Sequence, residues 1–282
     1  MRVTDVDMYS AKFEEPITFS LAKNDPSAQY MVRTILGLDA EEIVPKFYGR
    51  GLQTAPKYYD FGMKARDIVI RVILNPNFRI DDTYSNIRDD LYRSISADRT
   101  GKVVLHFRAG ATLVSRIFGF ITKFEVPYFV KLPEVQITVR CDDPMFRAIN
   151  PVHFTPAELP TTNPINIPDS ISTAPHGFTM QVTFKAASPS LTIQDKSSNP
   201  EWIFKVTPSG GFLINDVLYF SSEFSNKYLY IVRGGSTIQL IDKIQPNSIW
   251  PIIFPGQNSF YISEIATINW NYLEYYAAYW GV

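Results

Sequence analysis

The chain has 282 residues, with 27 Lys plus Arg against 28 Asp plus Glu and a sequence pI near 6.3. This length allows one large domain or two ordinary ones and is enough to bury a sizeable core. The balanced charge argues against tight binding to nucleic acids or anionic membranes, because no excess of cations is available to neutralise phosphates.

Targeting and redox features are sparse along the chain. The first ten residues lack the continuous apolar stretch of a signal peptide, and the apolar run 68–74 is interrupted by Arg71 and too short to span a bilayer. Cys141 is the only cysteine, so no intrachain disulfide can form. These features favour a soluble protein made in a cytoplasm.

Residues 1–148 are predicted to form an α+β domain, because β-rich segments flank one helical pattern. The β-rich segments are separated by Pro or Gly and lie at 66–74, 102–107, 115–129 and 134–141. The helix is predicted over 80–96, with Asp81 and Asp82 at its N-cap. Its apolar face is formed by Tyr84, Ile87, Leu91 and Ile95.

The second half begins with a proline-rich stretch. Residues 149–175 contain six prolines, which predicts an extended linker or a first edge strand, since proline cannot donate to a sheet. Residues 176–282 then contain only short strands, a pattern typical of an antiparallel sandwich or jelly roll. The predicted strands are 177–184, 202–207, 210–220, 227–234, 237–243 and 259–280.

The last of these segments ends in NWNYLEYYAAYW, residues 269–280. We expect this aromatic-rich strand to close the sandwich, because aromatic side chains bury large areas. Strict alternation would place Trp270 and Tyr272 on one face, together with Tyr276, Ala278 and Trp280. The opposite face would then hold Leu273, Tyr275 and Tyr279.

No motif in the sequence indicates catalysis, a metal or a cofactor. His106, His153 and His176 have no zinc-ligand spacing, so they are interpreted as unrelated surface or internally satisfied histidines. Cys141 has no nucleophile signature around it and is predicted to be structural. The pairs Asp81-Asp82, Asp89-Asp90 and Asp142-Asp143 are interpreted as a cap, a solvated helix face and a turn. We therefore predict that the protein is not an enzyme.

Basic and aromatic residues alternate over 116–131, which has two readings. The pattern is compatible with stacking on nucleic acid. A half-buried strand pair with Lys and Arg on its solvent-exposed face gives the same pattern, and this second interpretation is favoured. A long apolar segment of this kind on a soluble domain also favours insertion into a neighbouring molecule.

The order of these parts resembles the distal tail protein (Dit) family of long, non-contractile-tailed bacteriophages. The resemblance rests on an α+β domain ending in CDDPMF (141–146), a proline-rich crossing, and a β-sandwich with FPGQN (254–258) and a terminal YWGV (279–282). It covers nearly the whole chain. It implies a mainly β fold, with a β-sandwich, one helix and a long β-hairpin in 1–148, a linker over 149–175, and a galectin-like or carbohydrate-binding-module-like sandwich over 176–282.

The resemblance also implies a role in assembly. Such proteins form a homohexameric ring at the distal end of the virion tail, which joins the tube protein to the tail tip and lets DNA pass. A hairpin of each subunit holds the next one, and 115–129 is the segment predicted for it. The expected interface residues are Arg116, Phe118, Phe120, Phe124, Tyr128 and Phe129. No cofactor is implied.

Two alternatives remain open from the sequence. A carbohydrate-binding adhesion module would recognise a host-surface glycan through aromatic rings, and Trp202 or Trp270 would be needed for it. A hydrolase would need carboxylates that converge only in the folded chain.

Overall fold

The computed structural model describes residues 3–10, 15–21, 27–39, 43–48, 57–78, 83–97, 102–125, 134–197, 202–224 and 226–282. The chain divides into two compact units: Met1–Ile149 with Trp280–Val282, and Asn150–Tyr279. The fold is mainly β with one α-helix among the described residues, which confirms the predicted fold class. No helix in the described part of the chain is long and apolar enough to cross a bilayer.

The first unit contains ten strands in the described ranges. They are β1 (Asp5–Tyr9), β2 (Ile17–Ser20), β3 (Tyr30–Leu36), β4 (Ile43–Tyr48), β5 (Lys57–Met63), β6 (Arg66–Leu74), β7 (Lys102–Ala109), β8 (Thr112–Glu125), β9 (Glu134–Cys141) and β10 (Phe146–Arg147). The bounds of β6 and β9 coincide with the predicted segments 66–74 and 134–141.

The main sheet of this unit closes on itself. Its strands follow the order β10-β8-β7-β1-β2-β3-β6-β9, and β9 pairs back onto β8. Alternate side chains therefore point into an apolar interior, where Val6, Ile70, Leu105 and Ile137 are fully buried. A closed sheet leaves no long exposed edge, which removes a site of unwanted strand pairing.

The helix α1 (Tyr84–Ala97) packs against β6. Ile87, Leu91 and Ile95 are buried as predicted, but Tyr84 is 37% exposed and does not belong to the buried face. Thr83 occupies the N-cap position, because its Oγ1 accepts a hydrogen bond from the N–H of Asn86 at 3.3 Å. The predicted cap residues, Asp81 and Asp82, lie outside the described residues.

A two-stranded ribbon extends the hairpin that β3 and β6 form. Its strands β4 and β5 pair antiparallel with each other, from Ile43 opposite Met63 to Tyr48 opposite Lys57. Within the described part of the chain they pair with no other strand. An isolated two-stranded ribbon is marginally stable in water, so this element gains from any surface that covers it.

The second unit is a sandwich of two antiparallel sheets. The strands of the sandwich are β11 (Val152–Phe154), β12 (Ile165–Asp169), β13 (Thr179–Phe184), β14 (Leu191–Asp195), β15 (Trp202–Val206), β16 (Val217–Ser221), β17 (Tyr228–Arg233), β18 (Ser236–Gln239), β19 (Gly256–Ile262) and β20 (Ile268–Tyr275). The short strand β21 (Ala278–Tyr279) belongs to neither of its two sheets. One sheet has the order β11-β20-β13-β16-β17-β18 and the other β12-β19-β14-β15. Their inner faces share one apolar core.

The proline-rich stretch 149–175 contributes strands at the edges of both sheets. Strand β11 pairs only with β20, and β12 pairs only with β19, among the described strands. Pro168 lies within β12, where an edge position tolerates a residue without an N–H. The stretch therefore provides the edge strands that proline allows.

The aromatic segment near 270 closes the core as expected, with one correction. Trp270, Leu273 and Tyr275 are buried, but Tyr272 lies on the opposite, outer face from Trp270. The reason is a β-bulge: Gln181 pairs with Tyr272 and the next residue of β13 pairs with Trp270, so Asn271 is the extra residue. The extra residue reverses which side chains point inward after it, and a prediction from strict alternation does not allow for such a reversal.

Trp280 also departs from the expectation, because it belongs to the first unit. Its carbonyl accepts a hydrogen bond of 2.7 Å from the guanidinium of Arg66, which is fully buried. The same guanidinium donates to the carbonyls of Gly37 and Asp39 and lies over the ring of Phe146. These contacts satisfy a buried cation through backbone dipoles and a ring face.

Candidate functional site

The outer face of β1, β7 and β8 carries an exposed apolar stripe, which we call the β8 face. Cross-strand pairs join Tyr9 to Val104 and Val104 to Phe118, and Phe120 follows two residues along β8. Phe118 and Phe120 are each 42% exposed, although large aromatic side chains on a monomer are usually covered. A contiguous exposed apolar stripe on a folded sheet is typical of a protein-binding surface.

A polar row borders this stripe. Asp7, His106 and Arg116 are direct neighbours across β1, β7 and β8. Asp7 is only 4% exposed, because Thr18 donates a hydrogen bond to it at 2.7 Å and Arg108 forms an ion pair with it at 2.9 Å. The β8 face thus combines apolar area with a fixed charged border.

His106 in this row is held neutral. Burial, and after it the nearby Arg116 guanidinium, lower the pKa of His106 below its usual value, while Asp7 opposes the shift. The ring lies 4.5 Å from that of Tyr9, and its Nδ1 is buried with no hydrogen-bond partner among the described residues. A buried donor or acceptor without a partner costs stability, so this nitrogen is a weak point of the first unit.

The structure separates the predicted interface residues. Phe118 and Phe120 lie on the β8 face, and Arg116 is half-buried with its guanidinium 5.4 Å from the ring of Phe118. Phe124 instead contacts Tyr92 of the helix edge-on at 4.8 Å, while Tyr128 and Phe129 lie outside the described residues.

The different position of Phe124 has a clear cause. A bulge at Thr122 shifts the register between β8 and β9, so Phe124 pairs with the buried Ile137 and turns to the inner side. The predicted hairpin over 115–129 also differs from the structure. Residues 112–125 are one continuous strand, with β7 on one side and β9 on the other.

Cysteine and histidine side chains that could take part in chemistry are instead buried or make contacts within the fold. Cys141 is fully buried, and burial raises the pKa of its thiol to about 12, so the thiolate is absent at neutral pH. His153 is exposed and lies 3.3 Å from Glu274. Within the described residues, no group of three or more His, Cys, Asp or Glu could hold a metal ion.

His176 and Asp169 form a buried pair that the sequence did not reveal. His176 Nε2 lies 2.9 Å from Asp169 Oδ2, and neither side chain is exposed. The imidazole also stacks on Tyr275 at 4.7 Å, and its Nδ1 lies 3.0 Å from the carbonyl of Gly177. Each ring nitrogen therefore has an oxygen atom within hydrogen-bond distance.

We predict an acid-sensitive contribution of Asp169 to stability. Burial raises the pKa of Asp169, but hydrogen bonds from His176 and Ser172 outweigh it and hold the pKa below its usual value. A lowered folded pKa stabilises the fold above the unfolded value of about 3.9, and this contribution is lost as the pH falls through the folded pKa.

The measurement is urea unfolding between pH 7 and pH 2.5, followed by tryptophan fluorescence. Three of the four tryptophans, Trp202, Trp250 and Trp270, belong to the second unit. The midpoint of the wild type should fall steeply below pH 4, and Asp169→Asn should start lower and fall less. Parallel pH profiles for the two proteins would contradict the prediction.

The two tryptophans named for sugar stacking differ in exposure. Trp270 is 7% exposed in the core, where its Nε1 donates to the carbonyl of Pro160 at 3.0 Å, so it cannot stack on a sugar. Trp202 is half-buried and packs on Phe254, with ring centres 5.7 Å apart.

Comparisons with known proteins give a match at the level of structure. No protein-family model matches the sequence, and neither does any curated protein. The structure is similar to the Dit protein of phage SPP1, described as a paradigm of the hub adsorption apparatus in phages that infect Gram-positive bacteria. That match has a TM-score of 0.59 and 12% sequence identity, and it covers 97% of this chain and 98% of the phage protein.

Two structures of the phage P2 baseplate in its activated conformation also match. The one with Ca has a TM-score of 0.46, and the one with Sr has a TM-score of 0.42, each at 9% identity. They cover 99% and 98% of this chain and 98% of the matched chain in both cases. The SPP1 match confirms the resemblance inferred from the order of parts, as a likeness of fold.

Proposed function

We propose that the protein is a structural component of a phage tail, a distal tail protein at the hub of the baseplate, without enzymatic activity. The observation that carries this proposal is the shared fold with SPP1 Dit over nearly the full length of both chains. The match covers both units in the same order along the chain. Such a match is more specific than one to the sandwich alone, because single β-sandwiches occur in proteins with many unrelated functions.

In this proposal the protein forms a homohexameric ring at the distal end of the virion tail after synthesis in the host cytoplasm. The ring joins the tail tube protein to the tail-tip protein, and its lumen lets DNA pass. The β8 face supports the ring, since a head-to-tail contact between copies closes into a cyclic assembly when its rotation fits. The net charge of −1 supports a channel that does not hold phosphates.

The β4–β5 ribbon is the better candidate for the arm that reaches the next subunit. It is the two-stranded element that stands apart from the closed sheet, whereas β8 belongs to that sheet. Docking on a neighbour would supply the covering surface that a two-stranded ribbon needs. The β8 face and the ribbon would then act as the two sides of one repeating contact.

The proposal is tested first by the mass and shape of the purified chain. Six copies of the 32.1 kDa chain give about 193 kDa, and light scattering on a sizing column should find this mass. Negative-stain images should show rings with a central opening. A wild-type protein that stays monomeric up to about 100 μM would contradict the self-assembling ring.

We predict that Phe118→Asp together with Phe120→Asp breaks the ring. Two carboxylates in a desolvated apolar contact are costly, so the mass should fall to that of one chain, 32.1 kDa. The thermal midpoint of the monomer should change little, because both side chains are exposed within the subunit.

Ile214→Asp is the matched control for this pair. Ile214 is 62% exposed in the second unit, so the change adds a charge to an exposed apolar position of the unit that does not contain the β8 face. The control should keep the wild-type mass. The β8 face would be excluded as the interface if both variants lost assembly equally, or if both kept the mass of the ring.

A further inference from the structure

The outer face of the six-stranded sheet is rich in tyrosine and poor in charge. Four of its outward side chains are half-buried tyrosines, which we call the tyrosine face: Tyr219, Tyr228, Tyr230 and Tyr272. None of the outward positions on its six strands holds Lys or Arg. Protein-binding surfaces are enriched in tyrosine and depleted in lysine and acidic residues, so this face has the composition of such a surface.

The rings of the tyrosine face form a continuous patch. Tyr219 and Tyr230 are cross-strand neighbours, stacked with ring centres 4.8 Å apart and planes 12° apart. The ring centres of Tyr228 and Tyr230 are 5.7 Å apart. The bulge at Asn271 turns Tyr272 outward and adds it to the same side of the sheet. Tyrosine rings give a large contact area at a low cost in conformational entropy, because they have few rotatable bonds.

The charge on this face is negative. The carboxylate of Glu274 accepts a hydrogen bond from Thr179 at 3.4 Å and lies 3.3 Å from the exposed His153. Burial raises the pKa of Tyr228 to about 12, and the carboxylates of Glu223 and Glu274 are among the further causes. Two carboxylates therefore lie near the rings, and no Lys or Arg at an outward position of the sheet offsets them.

Two exposed rings elsewhere in the chain have a cation of their own. The guanidinium of Arg116 lies 5.4 Å from the ring centre of Phe118, and the ammonium of Lys196 lies 5.9 Å from that of Tyr261. Within the described residues, no Lys or Arg lies over a ring of the tyrosine face. Because the face of an aromatic ring attracts a cation, these rings and the nearby carboxylates attract a group that the fold itself does not place there.

The cation that matches this face best is a guanidinium. It is planar, stacks on aromatic rings and forms two parallel hydrogen bonds with a carboxylate, whereas an ammonium acts as a point charge. Arginine is also enriched at protein interfaces, where lysine is depleted. A second copy of the same face is a poor occupant, because the two Glu274 side chains would repel each other.

We propose that the tyrosine face binds a partner protein through an arginine side chain, with the guanidinium paired to Glu274 and stacked on Tyr272. Glu274 and Tyr272 are two residues apart on β20 and point to the same side of the sheet, so one guanidinium can reach both. The tyrosine face lies wholly within the second unit. The inference therefore goes beyond the assembly role and does not depend on the β8 face.

The test is fluorine NMR on the full-length protein, with 3-fluorotyrosine in place of tyrosine and the signals assigned by single Tyr→Phe variants. The probes are three acetylated and amidated pentapeptides of alternating glycine and a second residue, which is arginine, citrulline or glutamate. Citrulline has the shape of arginine without its charge. At up to about 10 mM, the arginine peptide should shift the tyrosine-face signals at least about three times as far as the citrulline peptide at equal concentration. The glutamate peptide should not shift them.

Two variants test the named contacts, each with a matched control. Glu274→Gln removes a charge without changing the shape, and Tyr272→Ala removes a ring; each should reduce the remaining shifts by about threefold. Glu264→Gln changes an acid in the turn between β19 and β20. Tyr261→Ala removes a ring that lies on the other sheet and already has Lys196 over it. Both controls should respond like the wild type.

Three results would overturn the proposal. The first is the absence of shifts at the tyrosine face with the arginine peptide, and the second is an equal or larger shift with the citrulline or the glutamate peptide. The third is an equal effect in the test variants and their controls. The dispersion of the fluorine signals shows that each variant is folded. The mass of the assembly is read on the same samples, so a failed ring and a failed docking face are told apart.

Discussion

Replacing His176 by alanine is expected to lower the free energy of unfolding of the second unit by about 3–5 kcal/mol. The imidazole is fully buried and lies within hydrogen-bond distance of Asp169, whose carboxylate stays ionised because its pKa is lowered. Without the ring, the buried carboxylate keeps the backbone N–H groups of Ile171 and Ser172 on Oδ1 but loses its imidazole partner on Oδ2. An unpaired buried charge is among the most destabilising changes in a protein.

The measurement is urea unfolding at pH 7 followed by tryptophan fluorescence, with hydrogen exchange of peptides from 165–184 as a local probe. The control variant is His153→Ala, since His153 is exposed and its contact with Glu274 is a surface pair. This control should unfold at nearly the wild-type midpoint.

A double variant distinguishes the loss of a charge partner from the loss of packing. His176→Leu alone fills the space but leaves the carboxylate without its partner. Adding Asp169→Asn removes the charge and keeps an oxygen for the N–H of Ser172. The double variant should therefore be more stable than His176→Leu alone. If the double variant is equally unstable, packing and not charge explains the effect.

The sequence predicted strands well where the alternation was regular. Strands β6 and β9 have the predicted bounds because each is a run of β-branched residues with every second side chain buried. The buried face of the helix was predicted correctly at Ile87, Leu91 and Ile95, because apolar residues recur there with the helical period of 3.6. Strand β14 was missed, since it has five residues and neighbouring proline and serine residues that indicate turns.

Bulges limited the prediction of faces. One extra residue at Thr122 turns Phe124 inward, and one at Asn271 turns Tyr272 outward. Neither residue differs from its neighbours in a way that marks a bulge, because the register of the partner strand decides it. The face predicted for Tyr272 relied on strict alternation and was therefore wrong, and Phe124 lies on a different face from Phe118 and Phe120 for the same reason.

The candidate sites depend on neighbours that are distant in sequence. The side chains of Tyr272, Gln181 and Tyr219 form a row across three strands, and only the strand order brings them together. His176 and Asp169 are seven residues apart, and the segment SISTAP, residues 170–175, lies between them. Their pairing requires a chain reversal that neither helix nor strand periodicity predicts. Phe118 and Phe120 could be foreseen because they lie on one strand before its bulge.

We also expect Gly119→Val to destabilise the first unit by about 3 kcal/mol. Gly119 lies on the inner side of β8, between the two exposed phenylalanines, where β8 and β9 close the sheet. A Cβ at this position would lie 2.6 Å from Cγ1 of Val139 and 2.7 Å from the carbonyl oxygen of Arg140. Because one of these atoms belongs to the backbone, the clash cannot be relieved by a side-chain rotation, and the strands must separate.

Gly110→Ala is the matched control for this change. A Cβ on Gly110 would meet no atom within 4 Å, so the variant has only the strain of its φ of +63°, about 1 kcal/mol. Thermal unfolding and hydrogen exchange of peptides from 102–125 measure both variants. Faster exchange confined to Gly119→Val would show that contact between β8 and β9 at this glycine closes the sheet. Since Phe118 and Phe120 flank the same glycine, opening the sheet should also displace the β8 face, and the variant should fail to form the proposed ring. A Gly119→Val protein as stable as the wild type would mean that β8 and β9 do not approach this closely.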